Sequence, residues 1–75
     1  MKIKKYEIRK FIARRWSFRC GSNMAIIVDG VYLVFSYNTL ILKYNLVTDS
    51  MIYFNEKHYS KTTSTLQNII RDTLA

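Results

Sequence analysis

Three kinds of residue in this 75-residue chain bear chemistry: one thiol, one imidazole and a block of cations. His58 is the only histidine and Cys20 the only cysteine, and they stand in separate segments. A zinc site takes four Cys, His or carboxylate ligands, or three with an open position. No carboxylates recur here at ligand spacing, so neither a metal nor another cofactor is expected. A Cys–His nucleophile would need a base positioned beside the thiol. A small buried thiol and a loop histidine is the plainer reading. Asp29, Asp49 and Glu56 fall in turn-prone stretches, where aspartate serves the backbone. Gly21 and Gly30 are the only glycines, too few for a phosphate-cradling loop. The sequence therefore predicts a protein that is not an enzyme.

The cations are informative because of where they sit. Lys2, Lys4, Lys5, Arg9, Lys10, Arg14, Arg15 and Arg19 face only Glu7 within residues 1–19, a net +7. Residues 20–75 hold four basic and four acidic residues and are neutral. A field this one-sided attracts polyanions or an acidic protein surface. The expected binding residues are Lys5, Arg9, Lys10, Arg14, Arg15 and Arg19. Tyrosines are the second group, because Tyr32, Tyr37, Tyr44, Tyr53 and Tyr59 fall in or beside strand-like runs. Strand alternation sends some of them to the sheet face away from any helix. Tyr32, Tyr44 and Tyr53 are the expected aromatic binding residues, able to stack bases or to dock a protein. Val31–Tyr37 lacks the glycines and basic residue of the RNA-recognition signature, so that family is not indicated.

These side chains need elements to position them. Ile8, Phe11, Ile12 and Trp16 recur at helical spacing and predict a helix over about residues 5–15, with Lys10 and Arg14 opposite its apolar stripe. Met1–Lys4 reads as either frayed or extended. Met24–Val28 and Val31–Tyr37 flank Asp29-Gly30, a strong hairpin signal because a type I′ turn needs positive φ at both central residues. Asn38 turns the chain into a strand over Thr39–Tyr44, and Met51–Asn55 reads as another. A second helix is predicted over about residues 64–74. Ser64 and Gln67 form its capping box, and Leu66, Ile69, Ile70, Thr73 and Leu74 its stripe. The hydroxyl cluster Ser60, Thr62, Thr63, Ser64 and Thr65 reads as cap and turn chemistry in preference to a phosphate site. The expected fold is α+β: one domain over residues 1–75, α-β-β-β-β-α. A three- or four-stranded antiparallel meander over residues 24–55 lies under two helices in a two-layer α/β sandwich.

Length and composition agree with one small domain. A chain of this size buries roughly 60% of its extended surface, and half its residues are hydrophobic. The longest apolar runs, Met24–Val28 and Val31–Phe35, are far too short to span a bilayer, so no membrane partner is expected. Glu7, Arg9 and Lys10 interrupt the apolar core that a secretory signal would need behind Lys2, Lys4 and Lys5. With a lone cysteine, the expected location is the reducing cytoplasm.

Three segments carry a resemblance. They are Ser17-Phe18 leading into Gly21-Ser22-Asn23-Met24, then Ser36-Tyr37-Asn38-Thr39-Leu40-Ile41, then Tyr59-Ser60-Lys61-Thr62-Thr63-Ser64 with Gln67-Asn68. Together they resemble small proteins of bacteriophages and mobile elements that carry an "SY-x-T-x-I" strand and a "YS-x-TTS" helix start. Leu66 stands where those proteins often have histidine, and the resemblance covers most of residues 17–71 and does not extend to the basic helix. The resemblance implies a phage-type origin, hence a bacterial host cell, and no agreed activity. Small phage proteins without catalytic residues often act as stoichiometric inhibitors of host machinery. The expectation is thus a non-enzymatic binding protein of that kind, an anti-CRISPR among them, whose partner is a host nuclease or ribonucleoprotein complex, or nucleic acid directly. The alternatives are a small basic nucleic-acid-binding accessory or regulatory protein, and a homodimer or other structural homo-oligomer built on open sheet edges.

Overall fold

A computed structural model describes residues 1–74. The fold is α+β: a five-stranded antiparallel sheet with two helices packed on one face. After a 3-10 turn at Lys5–Glu7 come α1 (Ile8–Ala13), β1 (Phe18–Cys20), β2 (Asn23–Val28), β3 (Val31–Ser36), β4 (Thr39–Asn45), β5 (Ser50–Phe54) and α2 (Lys61–Leu74). The strands lie in sequence order, each antiparallel to the next. The sequence predicted three or four strands starting at residue 24. The fifth, β1, has only three residues, too few for alternation to show, and Arg19 sits at its centre.

Turn chemistry sets the meander. Asp29 and Gly30 have φ of 50° and 76°, and Tyr37 and Asn38 have 52° and 66°. Each pair supplies the two positive φ values that a type I′ hairpin requires. Gly21, at φ 57°, opens the β1–β2 hairpin. Asn45 Oδ1 accepts the backbone N–H groups of Val47 and Thr48 at 2.8 and 3.0 Å and shapes the β4–β5 turn. The N-terminal residues are extended. Ile3 N donates to Arg19 O and Arg19 N donates to Met1 O, so this segment runs parallel beside β1 and shields that edge.

The core forms between the helices and one sheet face. Ile8, Phe11 and Ile12 of α1 and Leu66 and Ile70 of α2 bury against Phe18, Ala25, Tyr32, Val34, Leu42 and Tyr44. A bulge in β4 opposes Val34 to Leu42 and Phe35 to Leu40, leaving Ile41 between them. That extra residue lets Ile41 and Leu42 both enter the core, which strict alternation forbids.

Both helix boundaries differ from the sequence reading. α1 stops at Ala13 instead of Arg15. Trp16 N donates to Phe11 O at 2.8 Å and Arg15 N to Ile12 O at 3.0 Å, with Arg15 left-handed at φ 53°. That is a Schellman stop with arginine where glycine is usual. Trp16 therefore joins the apolar stripe from outside the helix, edge-on to Phe11 at 5.3 Å. α2 starts at Lys61, three residues before the predicted start. Ser60 Oγ accepts Thr63 N at 3.3 Å and serves as the cap. Ser64 and Gln67 form no capping box. Gln67 Nε2 instead donates to the carbonyls of Asn55 and Lys57, at 2.7 and 3.0 Å, and ties the β5–α2 loop to the helix. The spacing was right for a box, but an earlier serine stood at the true start.

Candidate binding surfaces

The cationic surface is assembled by three consecutive pieces of chain. Lys5 stands in the 3-10 turn, Arg9 and Lys10 on α1, Arg14 at its C-terminal cap, and Arg19 at the centre of β1. All five are exposed: Lys10 and Arg14 lie opposite the stripe that α1 buries, Arg9 lies beside it, and Arg19, between the core-facing Phe18 and Cys20, stands on the sheet face away from the helices. Lys2 and Lys4 are exposed on the extended segment alongside β1. Arg9 pairs with Asp72 at 3.5 Å, an exposed contact that water screens. Among the described residues, Lys2, Lys4, Lys5, Lys10, Arg14 and Arg19 have no ion-pair partner. The guanidinium of Arg14 lies over the Trp16 ring, 5.1 Å from its centroid, and Trp16 is 43% exposed. The cations thus include one with an aromatic plane beneath it.

Arg15 does not belong to this surface. Its Nη2 donates to Tyr44 Oη at 2.9 Å and pairs with Asp49 at 3.2 Å, and Nη1 donates to Ala13 O at 2.7 Å. Its guanidinium also covers the Tyr44 ring at 4.9 Å. The left-handed backbone at Arg15 turns the side chain back over the sheet, which periodicity along α1 cannot reveal. Asp49 likewise serves side chains and not the backbone, accepting from Tyr44 Oη at 2.8 Å as well as from Arg15.

Two of the three expected aromatic residues are core residues. Tyr32 is 0% exposed and Tyr44 4%. They face each other across β3 and β4 on the helix side of the sheet. Tyr32 Oη donates to Trp16 O at 2.8 Å, holding down the end of α1. Burial pushes the Tyr32 phenol well above its ordinary pKa, with Arg15 opposing only in part. The tyrosine count was legible from sequence, but alternation gives only relative parity, and these two fell on the buried face. Tyr53 is on the opposite face, 43% exposed and paired with Lys43.

The remaining chemistry-bearing residues are dispersed. Cys20 packs partly buried against the core, and His58 Nδ1 sits 3.4 Å from Ser64 Oγ on the surface. No cluster of three metal-ligating side chains occurs among the described residues. In the hydroxyl cluster, Ser36 Oγ and Thr63 Oγ1 bond at 2.9 Å in the core, and Ser60 caps α2. A groove of about 620 Å³ between the 3-10 turn and α2 is lined by Lys5, Tyr6, Asn23, Lys61, Thr62 and Leu66, among others. Asn23 Oδ1 is buried beside it without a hydrogen-bond partner. Among the described residues no helix is long and apolar enough to cross a membrane. No protein-family model, curated protein or solved structure matches this chain.

Proposed function

We propose that this chain is a non-enzymatic, phage-type binding protein. In this reading it inhibits host nucleic-acid machinery stoichiometrically, as anti-CRISPR proteins do, from within the bacterial cytoplasm. One observation carries the reading: all the cations of residues 1–19 except Arg15 stand exposed, on consecutive elements and largely without acidic partners. Such a surface presents positive charge without first having to break internal pairs. An acidic patch or a bound guide strand on a host nuclease or ribonucleoprotein is its natural complement. A specific feature also supports the second reading, direct nucleic-acid binding in an accessory or regulatory role. Trp16, exposed under Arg14, offers one base a stacking plane amid phosphate-seeking cations.

Capture from a bacterial lysate, with and without nuclease, separates the two. An inhibitor retains one host protein after nuclease treatment, and the Lys10→Ser/Arg14→Ser variant loses it. A nucleic-acid binder loses all capture with nuclease. Equal capture by the variant and the native chain would refute both readings.

A further inference from the structure

The sheet face away from the helices carries a second apolar surface. Met24 pairs with Phe35 and Phe35 with Leu40, while Ile26 pairs with Leu33. All five are half-buried, and none belongs to the core or packs against it. An antiparallel sheet with one solvated face normally alternates apolar and polar residues along each strand. In β2 and β3 the alternation is missing: Ala25 and Val34 fill the inner face while Ile26, Leu33 and Phe35 fill the outer one. Strands apolar on both sides are built to be covered on both sides. Both helices lie on the inner face, and among the described residues no element covers the outer one.

The charges on this face indicate what covers it. Arg19 pairs with Met24, and its Nη2 reaches Met24 Sδ at 3.6 Å. Lys2 neighbours Arg19 in parallel register, at one edge of the apolar patch. Lys43 pairs with Leu33 and Tyr53 at the other. None of the five acidic residues lies in any strand. A two-fold contact with a second copy must be self-complementary, and a face with cations and no carboxylate is not. Nucleic acid fits poorly too, because bases stack on aromatic rings. Of these five residues only Phe35 is aromatic, and Tyr53, a further ring on this face, stands beyond Lys43 at the edge of the patch.

We infer that the outer sheet face is a docking site for a protein partner whose apolar ridge is rimmed by aspartate and glutamate. The site lies on the opposite side of the sheet from α1 and does not depend on what the cations of α1 bind.

The probe is a displayed library of random dodecapeptides, selected on the immobilised full-length protein. The enriched peptides should combine Leu, Ile, Phe or Trp with flanking Asp or Glu. A synthetic copy of the leading peptide should shift amide resonances of β2, β3 and β4. Leu33→Ser should weaken it roughly tenfold. Arg19→Glu/Lys43→Glu, which leaves the core intact, should weaken it several-fold, mainly through slower association. Lys10→Ser/Arg14→Ser should leave it unchanged, so this result is independent of the cationic helix. Several outcomes overturn the inference: no enrichment, peptides that map to α1, or binding indifferent to Arg19→Glu/Lys43→Glu. So do concentration-dependent dimers that Leu33→Ser abolishes, and oligonucleotide-induced shifts on this face.

Discussion

Arg15 is held in the structure while the cations around it are exposed, and its replacement gives an ordered outcome. Its guanidinium donates to Tyr44 Oη and Ala13 O and covers the Tyr44 ring. Each hydrogen bond contributes about 1 kcal/mol net, and the cation–π contact about 0.5–1 kcal/mol. The Asp49 pair adds little, because that carboxylate is 74% exposed and screened. Against these stands about 1 kcal/mol or more of rotamer entropy for fixing the side chain. Arg15→Ala should therefore cost about 2 kcal/mol, while still holding a left-handed backbone at φ 53°. Arg15→Gly loses the same contacts but recovers about 1 kcal/mol, because glycine adopts that conformation freely. At roughly 4–8 °C per kcal/mol for a domain of this size, alanine should lower Tm by about 8–16 °C and glycine by about half that. Arg14→Ala, an exposed residue, should move Tm by less than either. Thermal unfolding followed by circular dichroism reads all three. Equal Tm for the alanine and glycine variants, or Arg14→Ala as costly as Arg15→Ala, would refute the assignment.

Other outcomes follow from single contacts. Ser60→Ala should cost about 1 kcal/mol through loss of the α2 cap, and Ser64→Ala clearly less, in chemical denaturation. Gln67→Glu should destabilise by about 1–3 kcal/mol, because a carboxylate would face the Asn55 and Lys57 carbonyls that the amide now donates to. For Tyr32, burial raises the folded pKa above the ordinary 10.0. Its contribution is complete below pH 10 and shrinks above it, as the unfolded phenol ionises first. Tyr32→Phe should be less stable at neutral pH, losing the bond to Trp16 O, yet lose stability less steeply in alkali.

The sequence showed most where chemistry is local. Asp29-Gly30 marks a type I′ hairpin because few residues tolerate positive φ, Asn38 marks a turn without its type, and the spacing of the α2 stripe matches the helix. It failed where a feature depends on parity or on distant partners. Nothing in the alternation of β3 and β4 says which face the helices will cover, so Tyr32 and Tyr44 were placed outside. The bulge at Ile41 shifts parity within β4 without any glycine or proline to announce it. Arg15 looked like one more cation of the basic segment until Tyr44, 29 positions away, proved to be its partner. The apolar outer face was legible as the unbroken runs Met24–Val28 and Val31–Phe35, but its meaning required knowing that both helices lie on the other side.

The most direct measurement for the cationic surface is the salt dependence of binding to a labelled single-stranded oligonucleotide, used as a generic polyanion. The native chain should bind, with log K falling linearly as log salt rises. Lys10→Ser/Arg14→Ser should bind more weakly, with the slope reduced by about 0.7 for each lost phosphate contact and Tm nearly unchanged. A native chain that does not bind, or a double variant with unaltered affinity and slope, would contradict the claim that these residues form the binding surface.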